Sequence, residues 1–358
     1  MHVLINYKIC SKLLIAERKP MSPFELRRNA WLAERRQLQA HLDTLPLHTA
    51  LAVLLQYHVL TGYSKYNPED LRPIRCWRAD RRMSLVGYHI ESRNDRLKIK
   101  EQKMPPEGAV PVADGCPLAP ENQFWQQGAD QFAYTKTHNG KRFNYLVQYR
   151  PFGRNHFTIA SEDLEPQGWR PSLDTLYRRT VDGHAMAAQL GCLLLRNGDG
   201  AAASLDWNHA HALDEPDDAP LPIRQAVQLV GDNQDPVVRL DEPDWPLLAF
   251  RVTGPAETVA AEVCRLAARC TRVAGPRATE SIAMYSDNGA VSCIFVPRDR
   301  EREYSKSFRG KLGALETATG SLVFSDPELG LMLRDGRLGF GGLWAMLHEA
   351  RPAWSDDV

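Results

Sequence analysis

The sequence predicts an α+β fold made of a duplicated unit, with antiparallel sheets and packed helices. Aromatic and β-branched runs come in pairs joined by short turns: FNYLVQY (143–149) with HFTIA (156–160), and SIAMYS (281–286) with AVSCIFVP (290–297). A long helical stretch accompanies each pair. The chain, at 358 residues, exceeds what one small core needs. Strands in hairpins plus a crossing helix, met twice, read as a repeated unit, although the order of elements differs between the halves.

Taken in order, Ser22-Pro23-Phe24-Glu25 supplies an N-cap serine, proline at the first helical position and glutamate at the third. The helix it opens is expected to reach about Asp43, with Leu26, Ala30, Leu32, Leu38 and Leu42 on its apolar side. LHTALAVLLQYHVLTG (47–62) predicts a second helix. Residues 63–140 yield no firm assignment beyond strand-like pieces such as MSLVGYHI (83–90). The turn PFGRN (151–155) joins the first strand pair. PSLDTLYRRTVDGHAMAAQLGCLLLRNG (171–198) reads as one long helix, capped by Ser172 and stopped at Asn197-Gly198. AAASLDWNHAHAL (201–213) follows as a strand, and the acidic, proline-rich DEPDDAPLP (214–222) marks a boundary. WPLLAFRV (245–252) predicts a strand. Pro255–Cys270 predicts a helix with Val259, Val263, Leu266 and Ala267 on one side. Asp287-Asn288-Gly289 signals the second hairpin.

Composition narrows the function classes. Lysine plus arginine equals aspartate plus glutamate, 44 each, so no global field gathers nucleic acid or an anionic membrane. No apolar run reaches the length of a membrane span. The seven cysteines are scattered and never spaced as C-x-x-C, which fits reduced thiols in a cytoplasmic protein. Residues 1–20 mix lysine into apolar sequence and lack a small-residue cleavage site, unlike a signal peptide. Since Met21 stands directly before the first helix, Met1–Pro20 is a candidate upstream extension.

The chemistry-bearing segment is NHAHAL (208–213). In a strand, alternate residues share a face, so His209, His211 and Leu213 line one side and Ala210 and Ala212 the other. Two adjacent imidazoles resist double protonation, which keeps one neutral near pH 7. A neutral imidazole can attack phosphorus and form a phosphoramidate, splitting a transfer into two displacements. Two other readings stay open on spacing alone: an ordinary polar sheet face, or half of a metal site completed by Asp206 or Cys116. Trp207, by the same alternation, joins the His209 face and either packs in the core or stacks on a base. RDREREYSKSFRGK (298–311) reads as a solvated loop, GFGGLW (339–344) as a turn, and His184 as a packed or surface histidine.

The order PFGRNHFTIASEDLEPQ (151–167), a long helix, then NHAHAL resembles the histidine-triad superfamily, in its galactose-1-phosphate uridylyltransferase-like branch. That branch includes GDP-hexose phosphorylases and diadenosine tetraphosphate phosphorylase. His156, Phe157, Pro166, Gln167, Asn208, His209 and His211 fall where its motifs lie. GCPLAPEN (115–122) resembles a degenerate upstream Cys-x-x-Cys-Pro-x-Asn segment. CIFVPRDRE (293–301) and GALETATGSLVFSDPE (313–328) are similar to second-half motifs. The resemblance implies a histidine-triad-like catalytic half over 21–218, helical lead-in included, and a second such half over 219–358. It implies that His211 is the nucleophile and His209 orients it, while Asn208, His156, Arg150, Arg154, Gln167 and Arg298 contact substrate or hold the site. The implied substrate is a nucleoside diphosphate sugar or dinucleotide, with phosphate as acceptor, acted on by a monomer or homodimer. No cofactor is implied, and room is left for a divalent metal.

Three departures from the family pattern qualify this. Leu213 stands where the transferases carry glutamine, and losing one such donor in a dry site costs on the order of 3 kcal/mol. Arg150 replaces the asparagine before proline and could pair a phosphate through two N–H groups. Ala119 replaces the second cysteine, which argues against a structural zinc there. A degenerate protein that binds nucleotide or a partner without chemistry, or a nucleotide hydrolase of the same fold, is therefore carried alongside the transferase reading.

Overall fold

A computed structural model describes residues 21–65, 71–90, 105–126, 131–169, 172–215, 220–231, 235–287 and 289–358. The candidate extension at 1–20, residues 216–219 of the acidic boundary and Asn288 of the second hairpin turn lie outside the described residues.

Helix α1 (Pro23–Leu42) opens with the predicted capping box, in which Ser22 and Glu25 satisfy each other's backbone N–H. Its buried stripe differs from the expected one. Phe24, Trp31 and Leu42 point inward, and Leu26 is 52% exposed. The aromatic side chains decide the rotation, with the Trp31 ring 5.7 Å from Phe124 and 5.8 Å from Phe132. Helix α2 (Leu47–Leu60) follows, then the hairpin β1 (Ile74–Trp77) and β2 (Ser84–His89), and the short α3 (Pro120–Gln126).

Strands β3 (Tyr134–His138), β4 (Lys141–Val147) and β5 (Phe157–Ser161) form an antiparallel meander. The expected single helix over 171–198 is two elements. Helix α4 (Leu173–Leu190), capped by Ser172, stops at Gly191, whose φ of 60° is left-handed. LLLRN is then the separate strand β6 (Leu193–Asn197). An apolar run of this length is ambiguous between buried helix and buried strand, and the glycine arbitrates. The strand expected over 201–213 is likewise shorter: β7 covers His209–Leu213, after turns through 199–207.

The second half contributes α5 (Pro222–Val230), β8 (Val237–Leu240), β9 (Ala249–Thr253), α6 (Ala256–Ala274), β10 (Ala278–Asp287) and β11 (Ala290–Asp299). As expected, Val259, Val263, Leu266 and Ala267 are the buried side of α6. Residues 298–311 carry the small ribbon β12 (Tyr304–Ser305) and β13 (Gly310–Lys311). The buried α7 (Ala314–Thr319), β14 (Ser321–Phe324), α8 (Pro327–Arg334) and α9 (Phe340–His348) complete the chain. The glycine-rich GFGGLW is thus the start of a helix, with Gly339 at its N-cap, and not a turn.

The paired hairpins do not form separate sheets. They join in one nine-stranded sheet, ordered β3-β4-β5-β7-β6-β10-β11-β9-β8, with every neighbouring pair antiparallel. The halves meet where β6 pairs β10, from Asn197↔Ser281 to Leu194↔Met284. Helices α4 and α6 lie side by side over one face, on a core that includes Ile159, Leu194, Ala212, Val263, Ile282 and Phe295. The opposite face packs on α7 and the three-stranded sheet β1-β2-β14, around Leu195, Leu213, Ala283, Leu85 and Phe324.

Candidate active site

Strand β7 sits inside the large sheet between β5 and β6, so its two faces look in different directions. Ala212 enters the core beneath α4, with Ala210 partly buried beside it. The imidazoles occupy the other face. Their position along the strand lies between two apolar groups. Trp207, Ala160, Leu146 and Leu118 cluster at one end, and Leu213 with Leu193 and Leu195 at the other. Trp207 is buried and donates its Nε1–H to the Ser161 carbonyl at 2.8 Å, so it is a core residue.

The structure brings three histidines together. His211 stands opposite Thr158 on β5 and Leu195 on β6. His156 enters from the residue before β5 and places its Nε2 3.1 Å from His211 Nδ1. The His209 ring meets His211 edge-on, with centroids 5.5 Å apart. Phe152 adds a fourth ring, 3.9 Å from His156 and 5.6 Å from His211. His156 and His209 are buried, and His211 is the half-buried member. Burial holds the His209 pKa below the ordinary histidine value, an effect the nearby Arg196 reinforces and a hydrogen bond with the Trp207 carbonyl opposes. That carbonyl accepts from His209 Nδ1–H at 2.7 Å, which leaves Nε2 as the unprotonated nitrogen of the neutral ring.

The remaining predicted residues are distributed differently. Asn208 projects to the helix side, where its amide donates to Glu165 at 3.0 Å. The Gln167 side chain is a clamp between strands: it accepts from His209 N at 2.9 Å and donates to the carbonyls of Asn197 at 2.5 Å and His209 at 3.2 Å. Arg298 is fully buried on β11 and donates to the Leu312 carbonyl at 2.8 Å and Ser281 Oγ at 3.0 Å. Burial brings its pKa down to about 10 despite Glu316 and Glu303. Arg150 lies over the Tyr149 ring, 5.5 Å from its centroid. Arg154 donates to the Glu215 carbonyl at 3.3 Å. Leu213 reaches back under the 151–155 turn, where a Cβ on Gly153 would stand 2.3 Å from its Cδ1. His184 bonds the Gly254 carbonyl at 3.2 Å through Nε2.

One group of residues was not anticipated from sequence. Glu280, buried on β10, pairs with Arg196 at 2.9 Å and accepts the Trp169 Nε1–H at 2.6 Å. Arg179 on α4 donates to the carbonyls of Pro166 at 2.6 Å and Gln167 at 2.8 Å, and burial beside Arg196 lowers its pKa to about 10. Together they brace the 165–169 segment that holds β7. The signal was present: an arginine ending LLLR and a glutamate opening ESIAM are charges inside strands otherwise apolar. Next to this network, on the helix side, is a cavity of about 40 Å³, walled by Phe143, Ile159, Met186, Leu194 and Met284. His209 borders it, whereas His156 and His211 are not among its lining residues. Among the described residues, no group of three or more His, Cys, Asp or Glu is placed to hold a metal ion, and no helix is long and apolar enough to cross a membrane.

A large antiparallel sheet carrying an H-x-H strand in its interior, with helices packed on its face, is an α+β fold shared with solved structures. The solved structure that illustrates it is yeast Ap4A phosphorylase Apa2. It superposes with a TM-score of 0.58 at 13% identity, over 86% of this chain and 95% of that one. The same enzyme in complex with Ap4A gives 0.56 at 11% identity, over 85% and 97%. In complex with AMP it gives 0.56 at 11%, over 84% and 95%. At these identities the shared property is the fold. No protein-family model matches the chain, and no curated protein matches it in sequence.

Proposed function

We propose that the chain is a nucleotidyltransferase or phosphorylase that takes a nucleoside diphosphate sugar or a dinucleotide and works through His211. The observation that supports this is the placement of His211. It is the half-buried member of three adjoining imidazoles, on an interior strand of the large sheet, in a chain whose fold is similar to that of an Ap4A phosphorylase. In this reading His211 Nε2 attacks the α-phosphorus, the bond to the leaving phosphate breaks, and that group departs with the electron pair. Inorganic phosphate then attacks the same phosphorus and the P–N bond breaks, regenerating the imidazole. Arg150, just before the turn, and Arg154, within it, are the cations we assign to the phosphates.

Incubation with radiolabelled ADP-glucose and Ap4A tests it. The expected result is an acid-labile, base-stable adduct on the protein, abolished in His211→Ala together with all but a few per cent of turnover. Adduct or turnover surviving in that variant removes His211 from the mechanism. Leu213 favours a second reading, in which nucleotide is bound without covalent transfer, because no side-chain amide stands on β7 to meet a phosphate oxygen. Tight binding with no label in the wild-type protein is its signature.

A further inference from the structure

The protons of the His156–His211 pair are assigned by neighbours whose polarity is fixed. A backbone N–H can only donate. Phe152 N–H points at His156 Nδ1 across 3.3 Å, so that nitrogen accepts, and the neutral His156 ring carries its proton on Nε2. Nε2 stands 3.1 Å from His211 Nδ1. His156 therefore donates and His211 Nδ1 accepts. A neutral imidazole holds one proton, which on His211 must then sit on Nε2. His209 has the opposite arrangement, since the Trp207 carbonyl takes its Nδ1–H.

We infer that His156, polarised by the Phe152 N–H, is a positioning residue that holds His211 as the Nε2–H tautomer in the ligand-free protein. The inference rests on the reading of His211 as the residue that faces phosphate. In that state His211 meets a phosphate oxygen as a hydrogen-bond donor, and its Nε2 has no lone pair to attack with. Attack needs the hydrogen bond between the rings to reverse. His211 releases its Nε2 proton to water and gains one on Nδ1, while His156 loses its Nε2 proton and gains one on Nδ1 from water. Each ring keeps one proton and no net charge is created. What opposes the reversal is the Phe152 N–H, which would then face a second N–H across the same gap. The tautomer is thus tied to the 151–155 turn, the segment that also carries the Phe152 ring and rests on Leu213 through Gly153.

Side-chain ¹⁵N spectra of the free protein test this, with the rings assigned by His156→Gln, His209→Gln and His211→Gln. The expected result is a proton on Nε2 of His211, an unprotonated Nδ1, and a coupling through the hydrogen bond between that Nδ1 and His156 Nε2. The coupling should vanish in His156→Gln. Phe152→Pro removes the N–H and should shift His211 toward the Nδ1–H form. A proton on His211 Nδ1 in the wild-type free protein overturns the assignment, and so does a folded Phe152→Pro protein with an unchanged tautomer. ADP titration by calorimetry asks the separate functional question. Absence of binding there sinks the nucleotide reading, while the spectra of the free protein still decide the tautomer.

Discussion

At the scale of single residues, the most informative side chain is Leu213. It occupies the β7 position two beyond His211 and is packed under Gly153, so a glutamine of similar length would carry its amide into the same place. Leu213→Gln is expected to raise the rate of adduct formation on the order of tenfold to a hundredfold. Its stability should fall by roughly 1–2 kcal/mol, because an amide enters an apolar contact. Single-turnover labelling beside urea denaturation checks both, and an unchanged rate would show that the missing donor does not limit the chemistry. His209 and His138 yield a prediction about pH. Burial depresses both pKa values in the folded protein. Between the unfolded value of about 6.5 and the lower folded values, the unfolded chain binds protons that the native one does not. The stability from keeping these rings neutral is therefore complete above about pH 6.5 and declines as pH falls through that window. Urea midpoints from pH 8 to pH 5 should decrease toward acid, and His209→Gln should flatten the slope.

At the scale of elements, β7 is held in place by the 165–169 segment. Gln167 ties it to β6, Arg179 gathers the carbonyls of the segment, and Glu280 anchors Trp169 from the far half. Glu280→Ala leaves Arg196 buried beside Arg179 without its carboxylate, a change that costs about 3–5 kcal/mol in comparable buried pairs. A loss below 1 kcal/mol in chemical denaturation would mean that water replaces the carboxylate there. This level also shows what the sequence could and could not reveal. The alternation of NHAHAL and the hairpin composition around it made the strand and its facing residues readable. The split of 171–198 hinged on Gly191, since LLLRN satisfies helix and buried strand alike. The inward turn of Asn208 and the clamp role of Gln167 depend on contacts with residues dozens of positions away, which spacing does not encode. The resemblance pointed to 156, but the contact of His156 with His211 arises from β5 and β7 pairing and required coordinates.

For the whole molecule, the continuous nine-stranded sheet makes the boundary near 218 a division of chain rather than of core. We expect a fragment of residues 21–215 to lack the partner of β6 and to present LLLRN as a bare, apolar edge. Such a fragment should aggregate or stay unfolded, and co-expression with residues 219–358 should restore soluble protein. A monomeric, cooperatively folded fragment would contradict this. The full chain should unfold in one transition by circular dichroism and tryptophan emission alike.

The pairing of β6 with β10 also has a consequence for biosynthesis. The ribosome delivers Leu193–Asn197 long before Ser281–Met284 exists, and at ~5–20 residues per second the interval is on the order of ten seconds. Throughout that wait the nascent chain carries an adhesive seam beside a histidine cluster whose three members have already been made. Holdase chaperones that recognise short aliphatic stretches should therefore crosslink to nascent chains stalled near residue 240 and release full-length chains freed from the ribosome, in which β10 has emerged.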